Sequence, residues 1–160
     1  MDIAATVQQI ASQLISRRER IAFAESCTGG LMSKLATDLA GSSVWFDRGL
    51  VTYSNDAKHD LLGVPKAVFE TDGAVSEACV RAMARGLLHR TPATYGVAVT
   101  GIAGPGGGNP GRPVGTVWIA WVARGKEVRS ECQVFKGDRD AIRQQTAEVA
   151  FAGLLALISE

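Results

Sequence analysis

Ile21-Ala22-Phe23-Ala24-Glu25-Ser26-Cys27-Thr28-Gly29-Gly30-Leu31 is the stretch on which the fold turns. Its first four residues form a short apolar run bounded by charge, the pattern of a buried strand. Ser26 to Gly30 has the composition of a turn. Leu31, Leu35, Ala36 and Leu39 then recur at helical spacing, and Gly41-Ser42-Ser43 closes that helix. The stretch reads as one strand–turn–helix unit.

Upstream, Val7, Ile10, Ala11, Leu14 and Ile15 predict an amphipathic helix. Downstream, Val44 to Ser54 mixes apolar and β-branched residues, with Leu50 to Tyr53 the clearest strand. Asn55 is suited to cap a short helix over Asp56 to Leu62, with Gly63 at its end and Pro65 beyond. Ser76 is suited to cap a longer helix with Val80, Met83, Ala84 and Leu87 on its apolar face. Tyr95 to Thr100 is a second buried strand running into a glycine-rich loop that reaches Pro113. Val117 to Val122 and Val128 to Phe135 predict a hairpin around Arg124-Gly125-Lys126. Asp138 then caps a last helix with Ile142, Val149, Ala150, Gly153, Leu154 and Leu157 on one face. Strands alternating with helices and then a hairpin imply an α/β fold. The expected architecture is a three-layer α/β/α sandwich with a mixed, mostly parallel sheet of about five strands, one domain over residues 1–160.

Bulk properties exclude several function classes. A net charge of +1 leaves no electrostatic footprint for nucleic acid. No apolar stretch approaches the roughly 18 residues of a membrane span. Cys27, Cys79 and Cys132 are odd in number and form no CxxC pair, so neither a disulfide framework nor a zinc site is expected. No His/Cys/Asp cluster has metal-ligand spacing, and neither metal nor cofactor is expected. The N-terminus lacks the layout of a signal peptide, and a cytoplasmic location is expected. Symmetric dimers are the commonest oligomers, so a homodimer is the base expectation.

The Ser26 turn is the first candidate site. Sites in α/β sheets form at the carboxyl ends of strands. A helix start adds unpaired N–H groups that suit a developing oxyanion. Ser26 there is a candidate nucleophile, and Thr28, Gly29 and Gly30 are candidate substrate contacts. A plain helix cap explains the same residues. A serine nucleophile needs a base. His89 falls at a helix end, where the dipole gives it a structural reason, and His59 adjoins Lys58. Lys58 falls in the first turn of its helix, where the positive dipole end favours the neutral amine; burial would add to this, and an approaching Asp56 would oppose both. Tyr53 is placed to orient Lys58 or relay a proton. The alternative is an exposed lysine beside a core tyrosine. Cys27 rivals Ser26 as nucleophile, but adjacent residues in extended geometry point to opposite sides, and only one faces a given pocket. Thr100, Gly101, Ala103 and Gly104 follow the second buried strand and are candidate ligand contacts. Arg112, Arg139 and Arg143 are candidates to neutralise a phosphate.

Six motifs together resemble the CinA C-terminal family: Ala24-Glu25-Ser26-Cys27-Thr28-Gly29-Gly30, Thr52-Tyr53-Ser54-Asn55, Gly73-Ala74-Val75-Ser76, Thr100-Gly101-Ile102-Ala103-Gly104-Pro105, Pro113-Val114-Gly115-Thr116-Val117 and Gly137-Asp138-Arg139. They occur in order across almost the whole chain. The resemblance implies hydrolysis of the carboxamide of nicotinamide mononucleotide to nicotinate mononucleotide and ammonia. It implies Ser–Lys amide hydrolysis with tyrosine in support, roles that fall on Ser26, Lys58 and Tyr53. It also implies a three-layer sandwich. Arg112 stands where a lysine is common in the family. A non-catalytic nucleotide-binding module, or a regulatory module related to competence, would use the same loops.

Overall fold

The computed structural model describes residues 2–160. Five strands form one sheet in the order β2-β1-β3-β4-β5, from β1 (Ile21–Glu25), β2 (Phe46–Val51), β3 (Tyr95–Gly101), β4 (Thr116–Ala123) and β5 (Arg129–Val134). β1 pairs in parallel with β2 and β3, whereas β4 runs antiparallel to both β3 and β5. The expected mixed sheet of an α/β sandwich is therefore present, with β4 the reversed strand.

Helices cover both faces: α1 (Ile3–Arg17), α2 (Leu31–Thr37), α3 (Asn55–Leu62), α4 (Lys66–Thr71), α5 (Glu77–His89) and α6 (Arg139–Ile158). Alternation along the strands sorts the core. Ile21, Phe23, Val97 and Val99 pack with α1, α2 and α6. Ala22, Ala24 and Ala98 pack with α3 and α5. The small alanines let α5 lie close to the sheet, while the bulkier residues fill the other side.

The helix boundaries depart from expectation in instructive ways. The cap of α3 is Ser54, whose backbone is extended and whose hydroxyl accepts from the Ala57 N–H at 3.0 Å. Ser54, Asn55 and Asp56 are all competent caps, and sequence alone does not choose among them. β2 ends at Val51, so Thr52 and Tyr53 lie in the β2–α3 connection. α4 was not expected: Pro65, read as a stop, is also its N-cap. Gly41-Ser42-Ser43 leads into a short 3-10 helix, Ser42–Val44. Ile15, expected on the apolar face of α1, is 49% exposed. On α6 the buried face includes Ala147 and Phe151 in addition to Ile142, Ala150, Leu154 and Leu157.

One close approach sets where α3 lies. At Gly86 on α5 an added Cβ would come within 1.8 Å of the Leu62 carbonyl oxygen at the end of α3. Only hydrogen fits there, and the neighbour is backbone, which cannot swing aside. Gly86→Ala gains up to about 1 kcal/mol of helix propensity but incurs overpacking of about 1–3 kcal/mol or more. The net expectation is a melting temperature a few degrees lower by circular dichroism. An unchanged or higher value would show that α3 is free to shift.

Candidate active site

The parity of β1 continues past its end. Glu25 follows the odd residues toward α2, and Ser26 follows the even ones toward α3 and α5. Both are buried, at 0% and 6% exposure. Glu25 is the residue that shapes the turn. Helix α2 has Gly30 at its N-cap and so receives no side-chain cap from its own start. The Glu25 carboxylate supplies it from the strand: its oxygens accept from the Met32 and Ser33 N–H groups at 2.9 Å each. They also accept from the Thr28 hydroxyl at 2.7 Å and the Ser33 hydroxyl at 2.6 Å. The turn between these anchors needs left-handed backbone at Gly29 (φ 56°) and Gly30 (φ 103°). Arg143 closes its outer side by donating to the Thr28 carbonyl at 2.8 Å. Glu25 lies inside the first family motif, and sequence pattern alone assigns it no role. A carboxylate five residues before a glycine-capped helix is the signal that marks it.

The backbone then aligns three segments at the strand ends. The Ser26 N–H donates to the Val99 carbonyl of β3, and the Thr52 N–H donates to the Glu25 carbonyl. Ser26 is thereby set beside Thr100 on one side and beside the Tyr53 carbonyl on the other. Lys58 enters from α3. Its Nζ lies 2.9 Å from Ser26 Oγ and 2.9 Å from the Tyr53 carbonyl oxygen. Ser26 Oγ is also 3.5 Å from that carbonyl.

Lys58 is 2% exposed. Among the described residues no carboxylate is paired with it. Burial therefore lowers its pKa from the ordinary lysine value. The neighbouring thiols give no counter-charge. Burial pushes Cys27 up to about 12 and Cys79 up to about 11, so both stay protonated at neutral pH. Cys27 packs in the core on the α1/α6 side, and as a protonated thiol it is a poor rival to Ser26. An ammonium donates to both oxygens, and a neutral amine can make the same two contacts. The Tyr53 carbonyl only accepts and so takes an N–H, while the Ser26 hydroxyl can donate into the amine lone pair.

A cavity of about 220 Å³ opens over this pair, lined by Ser26, Lys58, Asn55, Val75, Thr100 and Arg139, among others. Thr100 Oγ1 donates to the Ala74 carbonyl at 2.9 Å, tying β3 to the segment before α5. Gly101 and Ala103 complete the β3 rim. The structure thus brings Ser26, Lys58, Tyr53, Thr100, Gly101 and Ala103 to one hollow. The other expected contacts lie apart from it. The Thr28 hydroxyl is on Glu25, and Gly29 and Gly30 form the turn behind Ser26. Gly104 stands beyond the rim with its carbonyl held by Arg139. The Arg112 guanidinium donates to the Asp72 carbonyl and is not among the lining residues. Tyr53 and Lys58 invert the alternative weighed from sequence: the lysine is buried and the tyrosine is 60% exposed. The Tyr53 hydroxyl is on Arg139 at 3.2 Å, and its carbonyl is what reaches Lys58.

Known proteins share this sequence and fold. The model of the CinA C-terminal domain matches residues 3–158. A nicotinamide-nucleotide amidohydrolase PncC from Enterobacter agglomerans is 52% identical over 139 residues, covering 87% of this chain and 85% of that protein. A CinA-like protein from Akkermansia muciniphila is 53% identical over 136 residues. That match covers 85% of this chain but only 33% of the longer relative. The crystal structure of the competence/damage inducible protein CihA from Agrobacterium tumefaciens superposes with a TM-score of 0.96 at 42% identity, covering 100% of this chain and 97% of that one. Among the described residues no helix is long and apolar enough to cross a membrane. By sequence and by architecture, the chain belongs to the CinA C-terminal domain family.

Proposed function

We propose that this chain hydrolyses the carboxamide of a nicotinamide nucleotide, releasing ammonia and returning the carboxylate to pyridine-nucleotide (NAD) metabolism. Ser26 is the nucleophile and Lys58 its base. The observation that carries this reading is the 2.9 Å contact between Lys58 Nζ and Ser26 Oγ, made where burial lowers the lysine pKa. The name of the Enterobacter relative supports the substrate class.

The chemistry follows from these two side chains. Neutral Lys58 takes the Ser26 hydroxyl proton as Oγ bonds to the amide carbon. The resulting oxyanion faces the turn before α2. There the Ser26 N–H is bound to Val99 and the Gly29 N–H to the Ser26 carbonyl, while the N–H groups of Cys27, which lines the cavity, and of Thr28 next to it have no backbone acceptor among the described residues. These are the candidate oxyanion donors. The Lys58 ammonium returns its proton to the amide nitrogen, the C–N bond breaks and ammonia leaves. Water then attacks the ester with Lys58 again as base, and Ser26 is regenerated. Tyr53 serves through its carbonyl, which fixes the direction of the Lys58 amine. Nicotinamide enters over Thr100 and Gly101, whose backbone frames the cavity opposite Lys58.

Ammonia release from nicotinamide mononucleotide tests the activity directly. Wild-type protein is expected to release it, and Ser26→Ala to fall by roughly 10³-fold or more with the fold intact. Equal release by both would move the nucleophile elsewhere. Release by neither, in folded protein, would favour a binding module.

Lys58→Met separates function from stability. Methionine fills a similar volume without a charge. Turnover is expected to vanish. In the wild type, kcat/KM should rise with pH through an apparent pKa below the ordinary 10.4 or so, because only the neutral amine accepts the proton. Stability has a matching sign. Between the lowered folded pKa and about 10.4 the unfolded chain binds more protons, so wild-type stability rises with pH across that window. Lys58→Met removes this dependence and is expected to be at least as stable as wild type below it, by urea titration at several pH values. A large destabilisation at neutral pH would contradict an uncompensated buried amine.

A further inference from the structure

We infer that the Thr52 hydroxyl is a positioning group for the reaction: it accepts a hydrogen bond from the Lys58 ammonium once that amine has taken the Ser26 proton. This rests on the amidohydrolase reading of the same site. The sheet register sets Thr52 beside Ser26. Glu25 pairs with Val51 of β2 and with Val99 of β3. The residues next along are Ser26, Thr52 and Thr100, and they continue the parity of Ala24, Leu50 and Ala98 on the α3/α5 face. Two backbone bonds carry the register past the strand ends, from the Ser26 N–H to the Val99 carbonyl and from the Thr52 N–H to the Glu25 carbonyl. Three hydroxyl side chains therefore stand in a row across neighbouring strand ends, with about 5 Å from one chain to the next. All three residues are buried.

Two of the three hydroxyls are engaged. Ser26 Oγ lies on Lys58 Nζ, and Thr100 Oγ1 donates to the Ala74 carbonyl. Thr52 Oγ1 is buried without a partner. An unmet hydroxyl in the interior costs free energy that a valine of the same shape does not. Three other buried side-chain atoms among the described residues share that condition: Glu19 Oε1, Thr91 Oγ1 and Arg143 Nε. Glu19 and Thr91 precede β1 and β3, at the opposite end of those strands, and Arg143 is on α6. Thr52 Oγ1 is the one that stands in the row with Ser26.

The contacts of Lys58 bracket that hydroxyl. Nζ touches Ser26, the cross-strand neighbour of Thr52, and the carbonyl of Tyr53, the next residue along the chain. A neutral amine has two N–H groups and one lone pair. When the proton passes from Ser26 Oγ to Nζ, as Oγ bonds to the amide carbon, the ammonium carries three N–H groups. One stays on the Tyr53 carbonyl and one turns to the amide nitrogen. The third needs an acceptor. The titratable groups facing Lys58 are the Cys27 thiol after β1 and the Cys79 thiol of α5, and a thiol is a weak acceptor. Arg139 of α6 shares the cavity and only donates. On α3 itself Asp56 is exposed, and His59 Nδ1 lies on the Val64 carbonyl. Thr52 Oγ1 is the open acceptor. Its bond to Lys58 is charge-assisted only after proton transfer, so it stabilises the intermediate over the resting state.

The test reads Lys58 itself, by NMR titration of lysines labelled with 13C at Cε, and needs no turnover. Thr52→Val removes the hydroxyl and keeps the branched shape. Losing an acceptor of the ammonium lowers the Lys58 pKa, and a downward shift of about 1–2 pH units is expected, the worth of a hydrogen bond to a charged group. Thr52→Ala also lacks the hydroxyl and gives the same reading should the valine variant not fold. Thr52→Ser keeps the hydroxyl and should titrate like the wild type. Thr91→Val removes the other unpartnered hydroxyl, away from the site, and should leave Lys58 unmoved. A Lys58 titration unchanged by loss of the Thr52 hydroxyl would overturn the inference. So would an equal shift in Thr52→Ser, which would make Thr52 a packing residue only. In ammonia release, kcat and kcat/KM of Thr52→Val should fall together by about 10-fold or more, and the rising limb of the pH profile should move to lower pH. Ammonia release with a Lys58 titration unmoved by Thr52→Val keeps the activity and removes this inference. A shifted titration in a chain that releases no ammonia keeps the Thr52–Lys58 bond and overturns the activity.

Discussion

The Glu25 carboxylate joins the end of the central strand β1 to the start of α2, and the geometry around Ser26 follows from that join. A helix that begins with glycines has no cap of its own. Here the strand before it reaches across and binds two helix amides and two hydroxyls. Both ends of the turn are then fixed, one by the sheet ladder and one by the capped helix. Five residues must cross between them, and two of these are left-handed glycines. Ser26 has little freedom left. In the proposed reaction a nucleophile held this way has little entropy left to lose, which is one of the larger contributions a protein scaffold makes.

Against that rigid turn stands a group the fold does not favour. A lysine amine at 2% exposure with neutral thiols around it is poorly solvated in its charged form. The same burial that disfavours its charge makes it a weak point of the folded state. Proteins tolerate such groups where activity depends on them. The close contact of α3 with Gly86 holds the lysine in place. The Tyr53 carbonyl, held near Ser26 through the Thr52–Glu25 backbone bond, sets its direction.

Much of the fold was legible in local pattern. The apolar run Ile21 to Ala24, the turn residues after it and the helical spacing from Leu31 identify the central unit without help. The last helix and the hairpin read equally clearly. Pro65 did not, because proline marks both ends of helices, and α4 was missed beside it. The site was legible only in part. Ser26 is marked by its place at a strand end, but Lys58 reaches it across 32 positions of sequence, and no local pattern encodes that contact. The search for a base pointed to the lysine and the family resemblance added to it, and burial is the largest reason its charge is disfavoured. Arg112 looked like a phosphate ligand from its glycine-rich loop, yet its donor is committed to the Asp72 carbonyl. Glu25 and Arg139 act through long-range hydrogen bonds, and a single sequence gives such bonds no signature.

The central claim is that Lys58 rests as a neutral amine against Ser26. The chain has five lysines, Lys34, Lys58, Lys66, Lys126 and Lys136, few enough to resolve by NMR with 13C label at Cε. A pH titration of the folded protein should show one lysine signal titrating clearly below about 10.4, and that signal should be absent from Lys58→Met. Five signals all titrating at or above about 10.4 would mean that Lys58 is an ammonium in the resting protein. Ser26 would then lack its base, and the account would fail.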